Sequence, residues 1–159
     1  MPELPEVETI KNELASQIIG RQFVSIDLLW QKAVHEPSPE EFRQRLVGHK
    51  IEGIWHRGKY LLFQLAGGET LILHLKMSGV LLLKPASQRF ENHTTAIFHL
   101  DGGIYLHFID QRKFGSMWLV KDENKIVGKL GPEPLDVSFT PAILRKIASQ
   151  HRIPIKVLL

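Results

Sequence analysis

The first residues of the chain could supply an unusual nucleophile. Proline follows the initiator methionine directly, and Glu3 follows the proline. If Met1 is removed, which is the normal outcome before a small residue, Pro2 carries a free secondary amine. An unperturbed α-amino group has a pKa of about 7.7–8.0, so part of it is neutral near pH 7. A secondary amine that attacks an aldehyde carbon gives an iminium ion, which withdraws electrons without first taking up a proton.

The next residues predict a helix that begins beside this amine. Pro5 suits the first helical turn, and Gly20 suits the end of the helix. The apolar positions between them recur at helical spacing: Val7, Ile10, Leu14 and Ile18. The positive end of the helix dipole favours the neutral amine, whereas the carboxylates of Glu3, Glu6 and Glu8 favour the protonated form. The sequence does not decide between these effects, and an acidic first turn is also ordinary helix capping.

Five sequence blocks resemble one protein family. They are MPELPEVET at residues 1–9, RGKYLLF at 57–63, HLKMSG at 74–79, DQRKFG at 110–115 and LGPEPL at 130–135. Together they resemble the formamidopyrimidine-DNA glycosylase and endonuclease VIII family of base-excision repair enzymes. The PELPE start is similar to the formamidopyrimidine branch, since the other branch typically reads PEGPE. The blocks extend over nearly the whole chain in the family's order, so chance agreement is negligible.

The resemblance implies a bifunctional DNA glycosylase and AP lyase that excises oxidised purines, namely 8-oxoguanine and formamidopyrimidines. Pro2 would attack C1′ of an extruded damaged nucleotide and form a Schiff base. The strand would then be cut on both sides by β- and δ-elimination. Glu3 would protonate the sugar ring oxygen, and Glu6 would orient the lesion or the sugar. The implied partner is damaged double-stranded DNA.

Two cations of the middle blocks would contact phosphates by the same resemblance. Lys59 follows Gly58 at a predicted strand entrance, where a long cationic side chain can reach a phosphate beside the extruded nucleotide. His74 would be a second phosphate contact. Both residues also fit an ordinary structural role, because exposed polar residues are common at strand ends.

Three further residues would enter the duplex by resemblance. Extruding a base leaves a void that an apolar wedge can fill, and Met77 and Phe114 would be that wedge. Arg112 would pair with the orphaned base and suits cytosine, whose O2 and N3 are acceptors, because arginine carries only donors. Lys113 would be at most a secondary phosphate contact. Taken without the family, Met77 fits a core-filling role, and Phe114 fits the core better than the surface, because aromatic residues in strands are usually buried.

His93 and Lys156 are further DNA contacts that the resemblance implies with less support. The stretch Asn92-His93-Thr94 stands where many members carry His-Asp-His. Lys156 matches a family lysine near the 8-oxopurine reaction, but its block is incomplete in this chain.

Composition fits a water-soluble protein of the cytoplasm. The chain has 159 residues, is 43% hydrophobic and contains no cysteine, which excludes disulfides and thiolate metal sites in this stretch. We expect no membrane span, no leader peptide, no metal in this chain and a monomer. Residues 1–80 carry nine basic and ten acidic side chains, and residues 81–159 carry eleven and seven. So small a basic excess is only a weak indication of nucleic-acid binding.

The expected fold is mostly β with helices (α+β). Short β-branched or aromatic runs alternate with turns such as Gly67-Gly68 and Gly102-Gly103. We expect eight strands, at residues 22–30, 51–56, 60–66, 70–76, 80–84, 96–100, 104–110 and 116–121. So many short strands predict a two-sheet antiparallel β-sandwich, here with an N-terminal helix. A short helix is expected at 39–47 and a surface loop at 86–93.

Residues 1–131 are expected to form a catalytic sandwich domain, and residues 132–159 to be a linker and the start of a second domain. Thr140 caps a predicted helix, and Pro154 interrupts the chain beyond it. In the family these segments lead into a helix-two-turn-helix domain and usually a four-cysteine zinc finger. We therefore expect an N-terminal fragment or a shortened product of a longer protein, with zinc in the absent finger. The alternative function is a catalytically silent domain that binds damaged DNA or serves as structure.

Overall fold

The computed structural model describes residues 1–154. The chain separates into two compact units, Met1–Lys129 and Leu130–Leu159. Lys156, one of the predicted DNA contacts, lies outside the described residues. Among residues 1–154, every helix is too short or too polar to span a lipid bilayer.

Nine strands occur in the described part of the chain. In chain order they are β1 (Phe23–Leu28), β2 (Val34–Glu36), β3 (Ile51–Arg57), β4 (Tyr60–Leu65), β5 (Thr70–His74), β6 (Gly79–Pro85), β7 (Thr94–Leu100), β8 (Ile104–Asp110) and β9 (Ser116–Val120). One sheet has the order β1-β7-β8-β6, and the other has the order β2-β9-β5-β4-β3. The predicted two-sheet α+β fold is confirmed.

The structure differs from the prediction at the edge of the larger sheet. The short strand β2 pairs with β9 in parallel, whereas the named strands otherwise pair antiparallel in the described chain. Three residues are too few to display the alternating pattern from which strands are predicted, so this strand escaped notice. It follows a single 3₁₀ turn at Gln31–Ala33.

One hydrophobic core unites the two sheets. Along β8, Leu106 and Phe108 are fully buried, and on the other sheet Phe63 and Leu73 join the same cluster. Large aromatic side chains fill its centre: Phe23, Phe42, Phe63, Phe98 and Phe108. Phe23 and Phe98 meet edge to face with their ring centroids 5.9 Å apart, the arrangement that the ring quadrupoles favour.

Two helices pack against this core. The first, α1 (Leu4–Ile18), buries Val7, Leu14 and Ile18 and packs mainly against β3. The second, α2 (Pro39–Leu46), begins where Ser38 Oγ accepts a hydrogen bond from the Glu41 N–H. A four-residue helix, α3 (Asn124–Val127), was not expected from the sequence.

In the second unit the predicted helix is present as α4 (Pro141–Gln150). Thr140 caps it as expected, because its Oγ1 accepts a hydrogen bond from the Ile143 N–H at 3.4 Å.

Candidate active site

The chain start leads directly into the first turn of α1. Glu3 occupies the N-cap, and its N–H donates to Glu6 Oε2 at 3.0 Å, one half of a capping box. Pro5 lies within the first turn, where its missing N–H costs nothing. Pro2 therefore lies directly before the positive end of a helix.

A shallow cleft of about 330 Å³ opens at this point. Pro2 and Glu6 line one side, and Met77 lines the other, together with the first residues of β6. The structure thus brings the predicted site residue Met77 to Pro2 and Glu6, although about seventy residues separate them in the sequence. Met1 precedes Pro2 and also lines the cleft, so in this chain the proline nitrogen is an amide.

Lys59 reaches the same region from the turn between β3 and β4. Arg57 pairs with Tyr60 across this hairpin, and Gly58 has a φ of 54°, which favours glycine. Lys59 Nζ lies 2.7 Å from Glu3 Oε2. Because the Glu3 side chain is 56% exposed, such a pair contributes only about 0–1 kcal/mol. An incoming phosphate can therefore compete for this lysine at little cost.

His74 ends β5 beside the hairpin. Its ring meets Tyr60 edge to face at 4.5 Å, and its Nδ1 accepts a hydrogen bond from the Lys76 N–H at 3.0 Å. Burial, reinforced by the charges of Lys76 and Lys59, lowers the pKa of His74 to about 4. His74 is neutral at pH 7, and Nε2 carries the proton because Nδ1 is an acceptor. It can donate one neutral hydrogen bond.

The three residues predicted to enter the duplex project from the surface. Met77 is 44% exposed and Phe114 is 54% exposed, so a role in the core is wrong for both. The Arg112 guanidinium carbon lies 4.9 Å from the centroid of the Phe114 ring, a cation–π contact.

Asp110 holds these projecting residues in place, and sequence reasoning missed it. Its buried carboxylate accepts from Ser78 Oγ at 2.5 Å, from the Arg112 N–H at 3.1 Å and from the Gly115 N–H at 2.6 Å. It therefore ties the turn carrying Met77 to the loop carrying Arg112 and Phe114. The signal was present, since an aspartate between a strand and a glycine-ended loop commonly accepts from the backbone of that loop.

His93 lies next to this junction. Its carbonyl accepts from the Asp110 N–H at 3.0 Å, and its φ of 68° places it in the left-handed region. The exposed His93 side chain belongs to the same end of the smaller sheet as Asp110.

Another contact that the sequence did not reveal joins α1 to β3. His56 Nε2 lies 2.7 Å from Glu8 Oε2. The hydrogen bond from Lys11 is the main cause that lowers the pKa of Glu8, with further lowering by Asn12 and by the charges of Lys11 and His56. Glu8 therefore offers His56 a carboxylate, and this contact holds the helix that follows Pro2 against β3.

Within residues 1–154, no group of three or more histidine, cysteine, aspartate or glutamate side chains converges as a metal site.

Comparison with known proteins identifies relatives of this chain. Residues 1–117 match the family model of the formamidopyrimidine-DNA glycosylase N-terminal domain. The formamidopyrimidine-DNA glycosylase of Carboxydothermus hydrogenoformans is 45% identical over 145 residues, which are 91% of this chain and 52% of that protein. That of Protochlamydia amoebophila is 39% identical over 100% of this chain and 58% of its own length.

Solved structures also include proteins that resemble this chain. The chain resembles Lactococcus lactis Fpg in complex with DNA containing an abasic site, with a TM-score of 0.89 and 32% identity. That match covers 98% of this chain and 59% of the other. It also resembles MutM in complex with DNA containing carbocyclic 8-oxo-G, with a TM-score of 0.78 and 35% identity, over 84% of this chain and 51% of the other.

The chain thus spans somewhat more than half the length of the curated relatives it matches. The family model covers most of the sandwich unit, including the chain start, the hairpin of Lys59, the turn of Met77 and the loop of Arg112. These matches show that the chain belongs to the formamidopyrimidine-DNA glycosylase N-terminal domain family.

Proposed function

We propose that this chain supplies the catalytic unit of a DNA glycosylase and AP lyase that removes oxidised purines from double-stranded DNA. The observation that carries the proposal is the shared cleft of Pro2, Glu6 and Met77, with the Lys59–Glu3 ion pair beside Pro2. A nucleophile, an acid and a phosphate-seeking cation then stand next to an apolar wedge. Relatives named formamidopyrimidine-DNA glycosylase, and a solved complex of one such protein with DNA containing an abasic site, support the proposal.

The proposed reaction begins once Met1 is removed. The Pro2 nitrogen attacks C1′ of the damaged nucleotide, the glycosidic bond breaks, and the base leaves with the bonding electron pair. The nitrogen gives up its proton to the departing base. Its lone pair then expels the ring oxygen O4′, which takes a proton from Glu3, and an iminium ion remains. The iminium acidifies C2′, so β-elimination breaks the C3′–O bond and δ-elimination breaks the C5′–O bond.

Lys59 links DNA binding to the acid. In the free chain its ammonium lies 2.7 Å from Glu3 Oε2, so this oxygen is occupied. A phosphate flanking the extruded nucleotide offers Lys59 an alternative anionic partner. Binding of the damaged strand then frees Glu3 at the moment when the acid is needed.

The remaining residues position the DNA. His74 donates its Nε2–H to a phosphate as a neutral group, since its Nδ1 is already an acceptor. Met77 and Phe114 fill the space that the extruded base leaves, and Arg112 donates to the orphaned cytosine. The exposure of all three and their common anchor at Asp110 support this role.

A base-release assay tests the proposal. The protein with Met1 removed is incubated with a duplex carrying one 8-oxoguanine opposite cytosine, and free base and strand ends are measured. We expect free 8-oxoguanine and a one-nucleoside gap with phosphate at both ends. Binding without base release would instead support the silent DNA-binding domain.

The variant Glu3→Gln separates base release from strand cleavage. Because the acid assists ring opening only while the base is attached, this variant should lose base release more than cleavage at a preformed abasic site. Equal losses on the two substrates would mean that Glu3 serves only to cap the helix.

A further inference from the structure

A second concavity, of about 540 Å³, lies beside the projecting loop. Its main walls are Trp30, Lys32, Lys76, Met77, Lys113 and Phe114, and we refer to these six residues as the tryptophan pocket. Met77 also lines the cleft of Pro2, so its side chain lies between the two concavities.

The tryptophan pocket is cationic. No aspartate or glutamate lines it, and within residues 1–154 none of its three lysines forms an ion pair. Instead, two of the ammonium groups face an aromatic ring: Lys113 Nζ lies 4.4 Å and Lys32 Nζ 5.5 Å from the centroid of Trp30. A cation over an indole ring is not neutralised by an anion, so these ammonium groups are available to a phosphate.

The backbone fixes the pocket. The Trp30 N–H donates to the Thr95 carbonyl at 3.0 Å, which ties the end of β1 to β7. Lys113 has a φ of 56°, and its N–H donates to the Asp110 carbonyl at 3.2 Å. A left-handed lysine is uncommon and persists only where the surroundings impose it. The same loop that aims Arg112 and Phe114 therefore aims Lys113 over Trp30.

Aromatic walls combined with unneutralised cations suit a strand of nucleic acid. Its bases can stack on aromatic rings, and its phosphates can pair with the cations. The choice of strand rests on the proposed function. If the cleft of Pro2 receives the extruded nucleotide of the damaged strand, Met77 and Phe114 stand in the gap. Lys113, between Arg112 and Phe114 in sequence, then faces the strand that lost its partner.

We propose that the tryptophan pocket binds the sugar-phosphate backbone of the undamaged strand, next to the orphaned nucleotide. Lys32 and Lys113 pair with a phosphate, and Trp30 packs against the adjoining sugar or base.

Salt dependence of binding tests this assignment. The chain with Met1 retained is titrated, at several salt concentrations, with a duplex containing a tetrahydrofuran abasic analogue and with the damaged strand alone. Each phosphate contact contributes about 0.9 to the slope of log K against log salt for duplex DNA. We expect Lys32→Gln and Lys113→Gln each to reduce the magnitude of the duplex slope by up to about this amount. Neither variant should change binding of the single strand.

Lys121→Gln is the matched control, because Lys121 is exposed in a groove that carboxylates such as Glu36 and Glu41 also line. It should leave the slope unchanged. Trp30→Phe should remove most of the duplex-dependent change in tryptophan fluorescence.

Three results would overturn the assignment: duplex slopes equal to wild type in both lysine variants, equal slope losses on duplex and single strand, or no duplex binding at low salt. No base release is measured here, so the two proposals fail separately. Lowered slopes without glycosylase activity would leave the pocket standing, and base release with unchanged slopes would leave the proposed function standing.

Discussion

Met77 and Phe114 are large apolar side chains that the fold leaves exposed. Their replacement should therefore cost little stability. We expect Met77→Ala and Phe114→Ala to change the free energy of unfolding by about 0.5 kcal/mol or less, as surface substitutions usually do. Phe108→Ala, in the core, should cost about 3–5 kcal/mol. Urea denaturation measures all three.

The same two surface variants should bind a base-paired lesion more weakly than wild type, because no side chain would fill the vacated space. A loss of several kcal/mol of stability in Met77→Ala would contradict the wedge role and favour packing.

His74 predicts a pH dependence of stability. Its pKa is lowered to about 4 in the folded chain, chiefly by burial, whereas an unfolded histidine titrates near 6.5. Between these values the unfolded chain binds more protons, so the free energy of unfolding falls as pH decreases from about 6.5 to about 4.

We expect His74→Gln to reduce this decline, as measured by denaturation at several pH values. Burial also lowers the pKa of His107, but His107 is present in both proteins, so the difference isolates His74. Identical declines would mean that His74 does not titrate in this window.

At the scale of elements, the end of β8 organises the surface from which Met77, Arg112 and Phe114 project. Asp110 is buried and accepts from one hydroxyl and two backbone N–H groups. Asp110→Ala would leave these donors without their acceptor, at about 1–3 kcal/mol for each one that stays buried. We expect a loss of about 3 kcal/mol in unfolding free energy, together with weaker lesion binding.

Asp101→Ala is the matched control, because its exposed carboxylate accepts from the Gln22 N–H in another turn. It should cost about 1 kcal/mol or less and leave lesion binding unchanged. Equal effects of the two substitutions would contradict a special role for Asp110.

Element prediction succeeded where patterns were long. The run of β-branched and aromatic residues along β8 and the helical spacing of α1 each extend over several residues, and both elements were expected close to their observed positions. The three residues of β2 and the four of α3 repeat too little to be recognised. The loop at 86–93 was also expected from its polar composition.

The site was predictable only in part. Family blocks indicated Pro2, Lys59 and Met77, but their residue types alone fit ordinary structural roles. What the sequence lacks is the distance between blocks. The ion pair of Lys59 with Glu3 and the approach of Lys113 to Trp30 depend on how the hairpin and the loop meet elements far away in the chain.

Across the whole molecule, a formal charge of only +3 gives little indication of DNA binding. The positions of the charged side chains are more informative than the net charge. Lys59 lies beside the cleft of Pro2, and Lys32, Lys76 and Lys113 lie in the adjoining tryptophan pocket, so four cations flank Met77. A duplex docked on this surface would meet positive charge on both sides of the wedge.

The central claim is that the Pro2 nitrogen becomes covalently attached to the damaged nucleotide. Borohydride reduction tests it, because it converts an iminium ion into a stable amine. The protein with Met1 removed is incubated with an 8-oxoguanine or abasic duplex and borohydride, and cross-linked peptides are located by mass spectrometry. We predict a borohydride-dependent cross-link on the Pro2 nitrogen, and a sharp decrease in Pro2→Gly and in the chain that retains Met1. Attachment to a lysine, or undiminished cross-linking in both altered proteins, would contradict the account.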